Sequence, residues 1–248
     1  MTDASDVVIW SADVEEEVLD EALTDDLPLR LIKLDRLGLT RMGLHKIAAV
    51  QDRGFKVFAD AKIAEIPDKV LEIAKLHLVH RPWMLNVMAG ICSTGIWAHE
   101  DRKKVDGLKR FADLCQITGT RPCAVTVLTS KSEDMVLDEF NGRMPEEQVL
   151  FYADLLLEAG FTDMVCSPRE ARLIRDNEEF DALELNCPGI RLPGSGNDDQ
   201  ARVETPLAAI AAGVNRVVIG RDLTDGDLLA NFRRVDANLN PDHQGSGL

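Results

Sequence analysis

No C-x-x-C pair occurs in this chain, and its five cysteines, Cys92, Cys115, Cys123, Cys166 and Cys187, are scattered and odd in number. That argues against a zinc ribbon and a disulfide framework and fits a reducing compartment. Positive charge is also scarce: 28 Lys and Arg face 43 Asp and Glu, giving a net charge of −15, and no lysine lies beyond Lys131. Such a balance repels nucleic acid and anionic membrane, so neither is an expected partner. No apolar run reaches the roughly 20 residues of a membrane span, and the acidic start MTDASDVVIW lacks the basic-then-apolar layout of a secretion signal. The expected location is the cytoplasm. No G-x-G-x-x-G follows the first strand-like run, which removes the phosphate grip of a Rossmann domain. No Asn-Gly joins two strand-like runs, so hairpins have no support. His45, His77, His80, His99 and His243 show no metal-ligand spacing beyond the near pair His77 and His80, which reads as a helix-end cap or a surface feature; no metal is expected.

What is present is globular: apolar residues make up 45% and charged residues 29%, with Gly and Pro spread along 248 residues. The length suits one (β/α)8 barrel, a single domain over 1–248 with a flexible tail from about 237. Eight strand-like runs occur at 7–11, 29–33, 56–62, 82–87, 122–128, 162–167, 182–186 and 215–220. Helical periodicity fills 14–23, 40–53, 67–79, 98–118, 146–159, 168–176, 204–212 and 225–235. Eight βα units in succession predict a parallel sheet closed into a TIM barrel, with an open doubly wound sheet as the alternative. Glycines cluster at PGIRLPGSG (188–196), after the seventh strand, and at Gly220-Arg221, ending the eighth. Barrels commonly build a phosphate site in those two places. Trp10, Trp83 and Trp97 read as core or rim packing, with Trp10 placed to line the mouth.

The strongest local feature is FADAKIAEIP, residues 58–67. Two-residue periodicity puts Asp60 and Lys62 on one face of a strand and Ala59, Ala61 and Ile63 on the other. If the apolar face packs on helices, acid and ammonium point into the barrel near its C-terminal mouth. Lys33 ends the second strand and Glu65 follows Lys62, so Lys33, Asp60, Lys62 and Glu65 form an expected row of alternating charge. A buried ion pair that merely satisfies itself is the plainer reading. The location at the catalytic end of a barrel favours a proton-delivery site, since an ammonium held against a reacting carbon is a proton donor.

Further motifs follow in order along the chain. Lys33 precedes Asp60-Ala-Lys62-Ile-Ala-Glu65-Ile-Pro67; Leu128-Thr129-Ser130 and Val165-Cys166-Ser167 come next; then Pro188-Gly189-Ile190-Arg191, Asp199-Gln200 and Gly220-Arg221. In this order they resemble the orotidine 5′-phosphate decarboxylase family through almost the whole chain. The resemblance implies loss of CO2 from C6 of the orotate ring without metal or cofactor, with the carbanion protonated by Lys62. It places Asp60 against the substrate carboxylate, Lys33 at the array and the ribose, and Thr129 and Ser130 at the pyrimidine. Arg221 and the N–H of Gly220 would hold the phosphate, while Gln200 and the 188–200 loop, with Pro188 and Arg191, close over it. It also implies a homodimer with shared sites, in which the carboxylate at Glu65 reaches the neighbour, with Met84, Met88, Ile91 and Trp97 as apolar contact material.

Departures from the family pattern are specific. Ser11 stands where the family has a ribose-binding aspartate, and Asp13, two residues on, is expected to replace it only if the strand shifts. Glu65 replaces the final aspartate of the signature, one methylene longer. The family's N-V-H is Asn86-Val87-Met88, its serine-methionine is Ser130-Lys131, and V-G after its lysine is Leu34-Asp35. Two alternatives stay open: a sugar-phosphate decarboxylase or aldolase of the same superfamily, which uses a metal, and a nucleotide-binding paralogue with little catalysis.

Overall fold

A computed structural model describes residues 2–92, 102–194 and 204–241, without the side chains of 91, 92 and 102–104. Eight short apolar runs form the strands β1 (Val8–Ser11), β2 (Leu31–Asp35), β3 (Lys56–Ile63), β4 (Met84–Met88), β5 (Arg121–Val125), β6 (Asp163–Val165), β7 (Glu184–Cys187) and β8 (Arg216–Ile219). Each pairs in parallel with its sequence neighbours, and β8 closes on β1 to make a barrel. The open-sheet alternative is thereby excluded.

Helices α1 (Ala4–Val7), α2 (Glu16–Ala22), α3 (Arg36–Met42), α4 (Lys46–Gln51), α5 (Pro67–Leu78) and α6 (Arg102–Ile117) accompany the first half. The second half carries α7 (Glu133–Glu139), α8 (Pro145–Glu158), α9 (Pro168–Arg175), α10 (Pro206–Ala211), α11 (Arg221–Thr224) and α12 (Leu228–Leu239). Local chemistry sets their starts: proline opens α5, α8, α9 and α10, and the side chains of Asp35, Ser132, Thr205 and Asp227 cap α3, α7, α10 and α12.

Three expectations need correction. The helix expected over 40–53 is split into α3 and α4, because Gly43 takes φ +85° and a Cβ there would meet the His45 ring at 2.8 Å. The tail begins later than 237: α12 runs to Leu239, and Asn240 accepts from the Thr2 N–H at 3.1 Å and donates to its carbonyl at 2.9 Å. His77 is neither a surface group nor an end cap, but lies buried on α5 with Nδ1 2.9 Å from the Ile73 carbonyl.

Alternation along the strands sorts side chains into two cores. Val8, Trp10, Ile32, Leu34, Ala59, Ala61, Ile63, Leu85 and Val87 face the helices. Trp10 is 1% exposed there and donates its indole N–H to Thr224 Oγ1 at 3.0 Å, so it does not line the mouth. Ile9, Leu31, Phe58, Met84, Cys123, Val125, Val165 and Val218 fill the barrel. Met84 is therefore enclosed, which removes it from any subunit contact, while the partly buried Met88 packs against that inner core. Ile91 and Trp97 fall outside the described side chains.

Below this apolar layer lies an ionic plug that was not legible beforehand. Four consecutive strands begin with charges: Arg121, Asp163, Glu184 and Arg216. Asp163 is fully buried and receives Arg121 at 2.8 Å, Arg216 at 3.0 Å, Thr162 at 2.7 Å and Asn186 at 3.1 Å. Glu184 pairs with both arginines, and the Arg216 guanidinium stacks 5.1 Å from the Trp83 ring centroid. Replacing Asp163 leaves Arg121 and Arg216 with Glu184 as their one shared carboxylate in a partly dry site. Asp163→Asn is expected to lower stability by about 3 kcal/mol in denaturant unfolding, with the substrate end of the barrel unaffected.

Candidate active site

At the opposite, C-terminal end, inward positions change from apolar to charged. Asp60 is 4% exposed, and both of its carboxylate oxygens are engaged. Oδ2 accepts from Lys62 Nζ at 2.5 Å and lies 2.9 Å from Lys33 Nζ, while Oδ1 accepts from Asn86 Nδ2 at 2.7 Å. Lys33 Nζ is also 3.5 Å from Asp13 Oδ1, and Ser11 Oγ donates to Asp13 Oδ2 at 2.8 Å. Charge therefore alternates from Asp13 through Lys33 and Asp60 to Lys62.

This geometry sets the protonation of the array. Burial pushes the Asp60 carboxyl up, but the Lys33 and Lys62 ammoniums more than offset it and hold it well below the usual carboxylate range. Burial pushes Lys33 down, and the Asp60 and Asp13 charges reverse that, leaving it above the ordinary lysine value. An anion and a cation are thus fixed side by side throughout the neutral range.

Two expectations about neighbouring acids are corrected. Asp13 needs no strand shift: Ser11 pairs in register with Lys33, and the chain leaving β1 brings the Asp13 carboxylate over the mouth. Glu65 does not join the row within its own chain. After Ile63 the backbone leaves the barrel, residues 64–66 are exposed, and Glu65 is not among the residues lining the cavity.

The cavity above the array has a volume of about 600 Å³. Ser11, Lys33, Asp60 and Lys62 form one side, and Phe58, Val125, Val165 and Val218 give it an apolar floor. Thr129 and Ser130 line it after β5. Pro188, Gly189 and Arg191 after β7, with Gly220 and Arg221 after β8, supply the remaining wall. Gly189 takes φ +78°, a conformation that brings backbone close to a ligand without a side chain in the way. The Leu192 N–H donates to Asp222 Oδ2 at 2.5 Å, tying the β7 loop to α11. Gln200 lies outside the described residues. Among the described residues no three His, Cys, Asp or Glu side chains converge on a metal position.

Asn86 was missed as a site residue. It is fully buried on β4 and contacts both Asp60 and Lys62. Its signal was a polar residue at an inward position between Met84 and Met88, legible only once the strand's phase is known.

Comparison with known proteins gives concordant matches. A sequence model of the orotidine 5′-phosphate decarboxylase / HUMPS family matches residues 32–228. An orotidine 5′-phosphate decarboxylase of Haemophilus influenzae is 35% identical over 231 residues, spanning 92% of this chain and 95% of that protein. One from Pasteurella multocida is 34% identical, spanning 94% and 97%. The crystal structure of orotidine 5′-phosphate decarboxylase from Lactobacillus acidophilus has a TM-score of 0.71 at 28% identity, covering 94% of this chain and 98% of its own.

The array has a defined pH signature. Because the Asp60 pKa is depressed on folding, its ion pairs stabilise in full above the ordinary carboxylate value of roughly 4 and are lost as pH falls below it. Wild type is expected to exceed Asp60→Asn in unfolding free energy by a constant margin from about pH 5 to neutrality, and that margin should shrink below about pH 4. Denaturant titrations at a series of pH values check this; a margin independent of pH would contradict it.

Proposed function

The chain belongs to the orotidine 5′-phosphate decarboxylase / HUMPS family, and on that premise we propose how it decarboxylates orotidine 5′-phosphate to uridine 5′-phosphate. The phosphate docks at the Gly220-Arg221 turn, where a guanidinium offers a bidentate match and the 188–191 backbone closes one side. The pyrimidine lies on the apolar floor with Thr129 and Ser130 beside it. This directs its C6 carboxylate towards Asp60. Repulsion between the two anions is relieved as CO2 leaves. The C6–carboxyl bond breaks with its electron pair left on C6, and Lys62 Nζ supplies the proton there. Lys62 is 39% exposed through the cavity, which gives the resulting amine access to solvent for reprotonation. Lys33 holds Asp60 in place, and Asp13 with Ser11 presents a carboxylate and a hydroxyl to the ribose.

The observation that carries this reading is the Lys33–Asp60–Lys62 array in a cavity that Arg221 and the Gly189 and Gly220 turns also line. The apolar floor suits a flat ring better than an open-chain sugar phosphate, whose hydroxyls would find no partners there. Free thiols at Cys115, Cys123, Cys166 and Cys187, an acidic balance and no membrane-spanning helix among the described residues are consistent with a cytoplasmic enzyme.

Two copies share their sites in this proposal. Glu65 lies in an exposed turn at the barrel mouth with Ile66, 63% exposed, beside it, and Leu37 at the start of α3 is 56% exposed. These residues take the place of the enclosed Met84 as contact material.

Purified protein should release CO2 from orotidine 5′-phosphate equally with and without chelator; no turnover would overturn the assignment. Lys62→Ala is expected to abolish turnover while uridine 5′-phosphate still binds, and Arg221→Ala to raise KM by about 10–100-fold. For the shared site, inactive Lys62→Ala and inactive Glu65→Ala protomers are mixed. Heterodimers hold one site with both lesions and one with neither, so activity returns; continued inactivity after verified subunit exchange means Glu65 does not act across an interface.

A further inference from the structure

Asn86 is fully buried on β4, and both ends of its amide are used on the adjacent strand. Nδ2 donates to Asp60 Oδ1 at 2.7 Å, and Oδ1 accepts the backbone N–H of Lys62 at 2.7 Å. The second contact falls where the β3–β4 ladder is broken. Ala59 pairs with Leu85 and Ile63 with Val87, so four steps along β3 are matched by two along β4. Residues 60–62 therefore form a bulge, and the Lys62 N–H has no regular ladder partner. Lys62 also takes φ +43°, a left-handed backbone that a non-glycine residue holds only when its surroundings enforce it.

We propose that Asn86 is a positioning residue whose amide acts as a two-point strut, fixing together the bulge that carries Lys62 and the rotation of the Asp60 carboxylate. The task demands one donor and one acceptor, both neutral, at the end of a short stem. Aspartate would keep the acceptor but set a second anion against Asp60. Leucine would match the shape and leave the Lys62 N–H and Asp60 Oδ1 without partners in a buried place. Glutamine is one carbon too long for the same two bonds. The consequence of the strut is a set distance between the carboxylate and the ammonium, 2.5 Å before substrate enters. The catalytic part of the proposal rests on the decarboxylase reading; the strut itself does not.

The test uses the full chain with Asn86→Leu and, as a milder change, Asn86→Ser. In Asn86→Leu, kcat is expected to fall about 10–100-fold, the scale of a displacement near one ångström, while KM and the Kd for uridine 5′-phosphate stay within about threefold. Asn86→Ser, whose shorter hydroxyl leaves room for a water to bridge to one of the two partners, should fall between Asn86→Leu and wild type, and it carries the test if Asn86→Leu does not fold. Crystal structures of the variants supply a readout independent of turnover: Lys62 is expected to leave the left-handed region and its Nζ to move away from Asp60. An unchanged array, or unchanged kcat in correctly folded protein, overturns the proposal. So does a loss of activity that tracks the loss of folded protein alone. If wild type does not decarboxylate orotidine 5′-phosphate, the functional reading fails and the variant structures still decide the strut.

Discussion

Everything at the substrate end depends on one arrangement, a carboxylate taken out of water and held ionised between two ammoniums. Burial alone would push the Asp60 carboxyl up and the Lys33 ammonium down, each towards its neutral form. Placed 2.9 Å from Lys33 and 2.5 Å from Lys62, the carboxylate makes each charge tolerable to the others. An array of this kind is available to act on a substrate without reorganisation, which is the condition for electrostatic preorganisation.

The barrel supplies that condition by layering. Charged side chains close its N-terminal end around Asp163, apolar ones fill the middle, and the Lys33, Asp60 and Lys62 charges occupy the C-terminal mouth. The plug and the array are both ionic, yet they differ in access. Asp163 has no route to a ligand and serves packing, whereas Lys62 opens onto the cavity. The same chemistry is thus sealed off at one end and open to a cavity at the other, which is why burial of a charged pair is by itself weak support for function.

One departure from the family pattern lies at the mouth beside Lys33, where Ser11 stands in place of an aspartate. Ser11 and Asp13 together present a hydroxyl and a carboxylate joined by a 2.8 Å hydrogen bond, with Lys33 next to them. A carboxylate two residues beyond the strand still lines the cavity, because the chain leaving β1 passes over the mouth.

Much of this was readable from the chain alone. Two-residue alternation in Phe58–Ile63 placed Asp60 and Lys62 inside, and proline and glycine punctuation located eight strands and most helices. These are local properties, carried by steric preference and by the side chain's own hydrophobicity, so neighbouring residues suffice to express them. Motif order added the phosphate wall at Gly220-Arg221. Other features joined residues far apart in sequence: the Asp163 plug drew on four strands, Asp13 reached Lys33, and Asn86 met a bulge 24 residues earlier. The outward turn of Glu65 and the enclosure of Met84 were equally invisible. Such contacts depend on register, bulge position and the direction in which the chain leaves a strand, and only closure of the barrel fixes all three at once, because a one-residue slip would exchange every inward side chain for its neighbour.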